Sequence, residues 1–185
     1  MCRATSTETF YGLMCRYGLT IYGGDTTDAY AHSPAPNDTY LVVDDAYADW
    51  YYKKKGEHIS KRMVLPVRHA LQGHPESGKM WMNMIDNILI NQFGFRKATH
   101  DRCIYIRERD GQVQLLLRQI DDFCTGMTSE KAARELFNDI GVKIQFPSEK
   151  QNSTILFEFL GVVTDYNGVN IIQTPDYIEM IYDKS

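Results

Sequence analysis

Residues 113–127 read Val113-Gln114-Leu115-Leu116-Leu117-Arg118-Gln119-Ile120-Asp121-Asp122-Phe123-Cys124-Thr125-Gly126-Met127, two apolar runs with a pair of carboxylates between them. Branched and aromatic side chains that stop at polar residues and then resume predict two strands joined near the aspartates. Adjacent carboxylates at the tip of an apolar hairpin disfavour joint ionisation unless a proton or a cation neutralises them. A hard divalent ion such as Mg²⁺ is the usual neutraliser of an oxygen-only group. A solvated Asp-Asp turn is the other reading, because Asp hydrogen-bonds its own backbone in turns.

Working outward, Ile104 to Arg107, an Asp110-Gly111 turn and Val113 to Ile120 predict a hairpin, Asp-Gly being a strong two-residue turn signal. Ser129 opens a helix as N-cap with Glu130 in its first turn, and Gly141 is expected to end it after Ile140. Phe157 to Val163, an Asn167-Gly168 turn and Val169 to Ile172 read as a second hairpin. Pro175 to Tyr182 reads as a last helix, with proline at its first position. Toward the N-terminus, a helix opened by Ser6-Thr7-Glu8 carries Phe10, Leu13, Met14 and Tyr17 on one face and ends at Gly18. The strand Leu19 to Tyr22 then leads to Gly23-Gly24-Asp25. Ser33 to Asp38 is a turn, Tyr40 to Val43 a short strand, and Met63 to Val67 is extended. Asp44 to Gly56 carries no clear period and is read as loop or irregular helix. Glu76 to Asn91 predicts a helix with Met80, Trp81, Met84, Ile85, Ile88 and Leu89 on a buried stripe. Helices interleaved with antiparallel hairpins make this an α+β chain.

At 185 residues the chain can bury one good core, or one domain and part of a second. It contains no apolar run of about eighteen residues and no basic-then-apolar leader, so no membrane partner and no secretion are expected. Cys2, Cys15, Cys103 and Cys124 lack Cys-x-x-Cys spacing, which argues against zinc and suits a reducing, cytoplasmic compartment. Twenty Lys and Arg against 24 Asp and Glu give a net charge of −4, whereas a nucleic-acid binder is expected to carry a basic face. Either the positive charge is local, as in Lys53-Lys54-Lys55 and Lys61-Arg62, or the phosphate-gripping parts lie outside this chain; the second is favoured.

A further carboxylate sharpens the picture. In Leu19-Thr20-Ile21-Tyr22-Gly23-Gly24-Asp25-Thr26-Thr27-Asp28-Ala29-Tyr30 a strand-forming segment ends at Asp25. The pattern Asp25-x-x-Asp28-Ala29-Tyr30, followed later by Ile120-Asp121-Asp122, resembles the catalytic core of reverse transcriptases. The segments Ala70-Leu71-Gln72-Gly73-His74-Pro75-Glu76-Ser77-Gly78-Lys79-Met80-Trp81, Phe159-Leu160-Gly161-Val162 and Gln173-Thr174-Pro175-Asp176-Tyr177-Ile178 are similar to blocks of the copia-like retrotransposon branch, in the same order.

The resemblance implies the palm of a right-hand polymerase, with an antiparallel sheet, helices on one face and partial fingers. Palm is expected at about 15–32 and 73–163, a fingers part at about 33–72, and the start of a thumb or connection at about 164–185. It implies RNA-directed DNA polymerase activity, with Asp25, Asp121 and Asp122 as catalytic and metal ligands for Mg²⁺, or Mn²⁺. Asp28, Ala29, Tyr30, Gln72 and Gly73 match nucleotide-binding positions, Tyr30 excluding a ribose 2′-hydroxyl. Gln119, Ile120, Phe159, Leu160 and Gly161 match primer or template positions. The residues also have plain readings: a helix-start Asp28, a core Tyr30, a turn at Gln72-Gly73, and a bulged strand at Phe159-Leu160-Gly161. Gln119 stands where the family has an aromatic, and its upstream basic fingers residues are not identifiable. The implied partners are a primed RNA or DNA template, deoxynucleoside triphosphates and the rest of a retroelement polyprotein, in a cytoplasmic virus-like particle. An inactive relic of such an element, or a non-enzymatic metal- or nucleic-acid-binding α+β module, are the alternatives.

Overall fold

The computed structural model describes residues 3–36, 38–144, 157–166 and 169–182. The elements run α1 (Ala4–Tyr17), β1 (Thr20–Thr26), a 3-10 turn (Ala29–His32), β2 (Tyr40–Val42), α2 (Asp45–Lys55), β3 (Val64–Pro66) and α3 (Ser77–Asp86), which continues into a π-helical turn (Asn87–Gln92). After these come β4 (Arg96–Lys97), β5 (Ile104–Arg109), β6 (Gln112–Gln119), β7 (Asp122–Met127), α4 (Glu130–Ile144), β8 (Phe157–Val162), β9 (Asp165–Tyr166), β10 (Val169–Gln173) and β11 (Ile178–Tyr182). Every pairing among the described strands is antiparallel, and the chain is α+β. It divides into two compact units: Met1–Ala29 with Met82–Ser185, and Tyr30–Trp81. No helix among the described residues is long and apolar enough to cross a membrane.

The first unit is organised by a six-stranded sheet in the order β4-β5-β6-β7-β1-β8. Asp110 and Gly111 both take left-handed backbone, φ 53° and 71°, as the two-residue turn between β5 and β6 requires. β1 comes early in the chain yet lies between β7 and β8. Because strand side chains alternate between faces, Ile21, Leu115, Leu117 and Cys124 project to one side, where they pack with Phe10, Tyr11 and Met14 of α1. Gly126 makes that approach possible: a Cβ there would collide with the Met14 thioether, which is itself fully buried. On the opposite face Tyr22 and Phe159 stack at 6.3 Å, and Phe137 of α4 lies 5.8 Å from Phe159. Helices therefore cover both faces, not one as expected, because α1 carries its own apolar stripe and needs a face to bury it.

Three local expectations are corrected, and a fourth falls outside the described residues. Gly141 does not end α4, which runs on to Ile144; burial of Ile140 and Ile144 outweighs the cost of a helical glycine of about 1 kcal/mol. The strand at 157–162 pairs with β1, not with β10. The expected Asn167-Gly168 turn lies outside the described residues. Pro175 to Tyr182 is not helical: Thr174 Oγ1 accepts from the N–H groups of Asp176 and Tyr177, forming a tight turn, and Ile178–Tyr182 returns as β11 along β10. The resulting β9–β10–β11 sheet adds Val169 and Ile171 to the α1-side core, and Gln173 ties it to β1 by accepting from Ile21 N–H and donating to the Leu19 carbonyl.

In the second unit, β2 pairs with β3, and irregular backbone bonds extend the ribbon from Val43–Met63 at one end to Ser33–Ala70 at the other. Asp44 to Gly56, read as loop or irregular helix, contains the regular helix α2. Its signals are caps rather than periodicity: the Asp44 carboxylate accepts from Tyr47 N–H at 2.8 Å, and Gly56 closes it in the left-handed conformation.

Candidate functional site

Leu115, Leu116 and Leu117 are buried and hold β6 in the sheet centre, so the chain emerges at Gln119 where its apolar run ends. Gln119 pairs with Asp122, leaving Ile120 and Asp121 as a two-residue turn. Ile120, the first residue of this turn, has φ 59°. That first turn position favours glycine, and a β-branched side chain there is strained.

The register of β1 on β7 sets Asp25 opposite Asp122. Thr26 N–H donates to the Asp121 carbonyl at 3.0 Å, one step further along the ladder. Asp25 and Asp122 therefore form a non-hydrogen-bonded pair, whose Cα atoms stand about 4.5 Å apart with side chains on one face. That face is the α1 side, since Asp25 follows Ile21 by four residues and Asp122 precedes Cys124 by two. Gln119 shares it, two residues beyond Leu117. Asp25 and Asp122 are half-buried, and Asp121 is exposed on the turn.

Burial, and then the charges of Asp121 and Asp25, push the Asp122 carboxyl above the ordinary range. The three carboxylates thus share an electrostatic field although Asp25 is remote in sequence. An oxygen-only donor set of concentrated negative charge fits a hard divalent cation such as Mg²⁺ or Mn²⁺. Among the described residues, no group of three or more His, Cys, Asp or Glu side chains is placed so as to hold a metal ion.

The other expected residues fall in several places. Gly23, two residues before Asp25, leaves no room for a side chain, because a Cβ would collide with Val163 Cγ1; the Leu160 Cβ lies 3.7 Å away. Leu160 is 51 % exposed and stands beside the carboxylate-bearing strand. Phe159 faces the other way, under the Arg134 guanidinium at 4.2 Å. The strand does carry the bulge read from its glycine: its register shifts between Gly23 and Gly24, and Gly161 takes φ 77°. Asp28 is exposed at φ 52°, and Ala29 is buried where the 3-10 turn begins. In the second unit, the Tyr30 hydroxyl lies 4.0 Å from where a Gly78 Cβ would stand, and Tyr30 is only half-buried. Gln72 and Gly73 are exposed in a turn that requires glycine at φ 88°.

Two features were missed in the sequence. The backbone of Glu158 in β8 pairs in register with Asp25 on the side of β1 away from Asp122. The strained Ile120 was also missed. The Gly23-Gly24 pair was the available signal for the first, since glycines inside a strand mark a bulge or a close backbone approach. No family model, curated protein or solved structure matches the chain.

Proposed function

We propose that the chain is the polymerase core of a copia-like reverse transcriptase, an RNA-directed DNA polymerase. Its palm would be the six-stranded sheet of the first unit, and Tyr30–Trp81 would belong to the fingers. The observation that supports this best is the register pair Asp25 and Asp122, with Asp121 in the adjoining turn. Nucleotide addition is an in-line displacement at phosphorus, in which the protein mainly positions groups and balances charge. Bound by these carboxylates, Mg²⁺ or Mn²⁺ would activate the primer 3′-hydroxyl and stabilise the leaving pyrophosphate oxygens.

The chain's own residues then have distinct tasks. Asp25 and Asp122 supply oxygens from two paired strands, which fixes their separation. Asp121 reaches from the turn and has more freedom to meet a triphosphate. Gln119 offers a primer strand hydrogen bonds where an aromatic would stack, and exposed Leu160 offers it an apolar surface. Ile120 and Gly161 shape the backbone beside it, while Phe159 supports the strand from the opposite face. Asp28, Ala29, Tyr30, Gln72 and Gly73 are assigned to the incoming deoxynucleotide by resemblance, with Tyr30 as the sugar selector. A primed RNA or DNA template and the rest of a retroelement polyprotein complete the partners.

Divalent-ion binding decides the reading. Mn²⁺ titration followed by electron paramagnetic resonance should show a site in the whole chain, weakened by roughly tenfold or more in Asp25→Asn or Asp122→Asn, about 1.4 kcal/mol per lost charge. Any nucleotide incorporation on a primer–template should disappear in Asp121→Asn. Equal Mn²⁺ affinity in all three proteins would sink the proposal. A Tyr30→Ala variant should raise ribonucleotide use relative to deoxynucleotide in the same incorporation assay.

A further inference from the structure

The carboxylate site leaves unused a cavity of about 330 Å³ on the α1 side of the six-stranded sheet. Helix α1 packs over β6 and against β11, so β4 and β5 project past it at the edge of the sheet. Alternation along β5 points Ile104 and Ile106 to this side, as the partners of Leu117 and Leu115. Ile104 is sealed at 4 % exposure, but Leu13, Ala98 and Ile106 are only partly buried. Together they line an apolar notch between the helix and the outer strands. Around it stand Arg3 at the start of α1, Arg96 of β4, and His100 and Asp101 from the β4–β5 connection. Asp101 is turned inward: it accepts from the N–H groups of Arg3 at 3.2 Å and Cys103 at 2.8 Å, and from the Ser6 side chain. No salt bridge among the described residues engages Arg96.

The next acidic side chain along the groove, Glu108, lines an adjoining cavity of about 270 Å³ that shares Leu13, Arg96 and Ile106. Taken together, the two cavities carry Arg3, Arg96 and Arg107 against Asp101 and Glu108, so the lining stays positive in a chain of net charge −4. A mostly apolar cavity with a few convergent polar groups is the form of a small-molecule site. Its charge selects an anion, and the planar fork of an arginine matches a carboxylate. Its size selects the apolar part: a cavity of about 150 Å³ admits benzene, and this one, about twice as large, suits two fused rings.

We propose that this cavity binds a small aromatic monocarboxylate, with the rings on Leu13, Ala98, Ile104 and Ile106 and the carboxylate at Arg96 and Arg3. The inference goes beyond the polymerase reading and involves no metal. It is tested on the whole chain with 2-naphthoate and its neutral isostere 2-naphthamide, by isoleucine δ1-methyl NMR titration. EDTA is present throughout, so the outcome does not depend on the carboxylate site. Ile104→Val and Ile106→Val assign the two resonances. With about thirteen non-hydrogen atoms, 2-naphthoate should bind with a Kd of about 1 mM or tighter, the level set by the lowest usual ligand efficiency. It should shift the Ile104 and Ile106 methyls and leave that of Ile140, on α4 at the opposite face of the sheet, in place. 2-Naphthamide should bind roughly two- to fivefold more weakly, the range for one exposed ion pair. Arg96→Gln should remove most of that preference while leaving the affinity for the amide unchanged. Ala98→Leu, which fills the notch, should weaken both ligands by roughly tenfold through overpacking. Circular dichroism checks that each variant is folded. Ile104 and Ile106 methyls unmoved at about 10 mM 2-naphthoate, equal affinity for the amide, or an Ala98→Leu affinity equal to that of the parent would each overturn the assignment.

Discussion

Asp122→Asn should make the protein more stable when divalent ions are removed and less stable, relative to the parent, when they are present. Asn keeps the shape of Asp and removes its charge. For unit charges about 5 Å apart, Coulomb's law at an effective dielectric constant of about 20 gives a repulsion near 3 kcal/mol. Half-exposed carboxylates rotate apart and are screened, and like-charged cross-strand pairs cost about 0.2–1 kcal/mol. The gain in chelator at pH 7 is therefore set at about 1 kcal/mol, or about 2–4 °C in Tm for a chain of this size. Mg²⁺ at a hundred times its Kd would add about 2.7 kcal/mol to the parent; a variant with a weakened site would gain less, so the order inverts. The pH dependence has a definite sign. Asp122 is raised in the folded protein, by burial first and then by Asp121 and Asp25, so folding favours its protonated form. Its favourable contribution is complete below the unfolded pKa of about 3.9 and is lost as pH rises through the folded value. In chelator, the advantage of Asp122→Asn should accordingly shrink as pH falls toward about 4. Thermal unfolding by circular dichroism, with EDTA and with Mg²⁺ at several pH values, measures all of this. A variant less stable than the parent in EDTA at pH 7, or equal stabilisation of both proteins by Mg²⁺, would refute the reasoning.

Three other perturbations test the scaffold. Gly126→Ala should cost about 1–3 kcal/mol, because its Cβ meets buried Met14; adding Met14→Ala should cost less than the two changes separately, as read by urea denaturation. Asp101→Ala should cost about 1–2 kcal/mol at pH 7: burial opposes ionisation of Asp101, but hydrogen bonds from the Ser6 side chain and from the Cys103 and Arg3 N–H groups prevail and hold its carboxyl at about 2. That contribution is present above the unfolded pKa and is lost as pH falls through about 2, so parent and variant should converge in acid-unfolding curves. Ile120→Gly should stabilise by about 0.5–1 kcal/mol, since relief of the left-handed β-branched residue, about 1–2 kcal/mol, exceeds glycine's entropy cost; a lower Tm would show that Ile120 packing matters more than its φ.

Elements whose boundaries are written in local chemistry were legible. Asp110-Gly111 dictates its turn, Gly18 closes α1 at φ 60°, and Ser129 Oγ accepts from Ala132 N–H at the start of α4. The misreadings arise where local chemistry has two solutions. Proline suits both the first turn of a helix and the entry to a tight turn, so Pro175 did not discriminate. The discriminating signal was the period: Ile178 and Met180 are half-buried while Glu179 and Ile181 are exposed, a two-residue alternation. In α2 the opposite happened. An aperiodic composition hid a helix whose caps were plain, because periodicity reports burial and α2 buries only Ala48.

The candidate site was partly legible for a different reason. Asp121 and Asp122 are neighbours in sequence, so their mutual repulsion can be read from the chain alone. The place of Asp25 depends on β1 entering between β7 and β8, a long-range pairing that no local propensity encodes. Only the motif resemblance suggested that Asp25 belonged with the pair, and the register then set it opposite Asp122. Ile120 was invisible because its strain follows from the two-residue loop length, which the Gln119–Asp122 pairing determines. A turn of that length gives the carboxylates little freedom to separate. The same two-residue loop that strains Ile120 therefore also keeps the negative charge of Asp121 and Asp122 concentrated beside Asp25, and both follow from the pairing of Gln119 with Asp122.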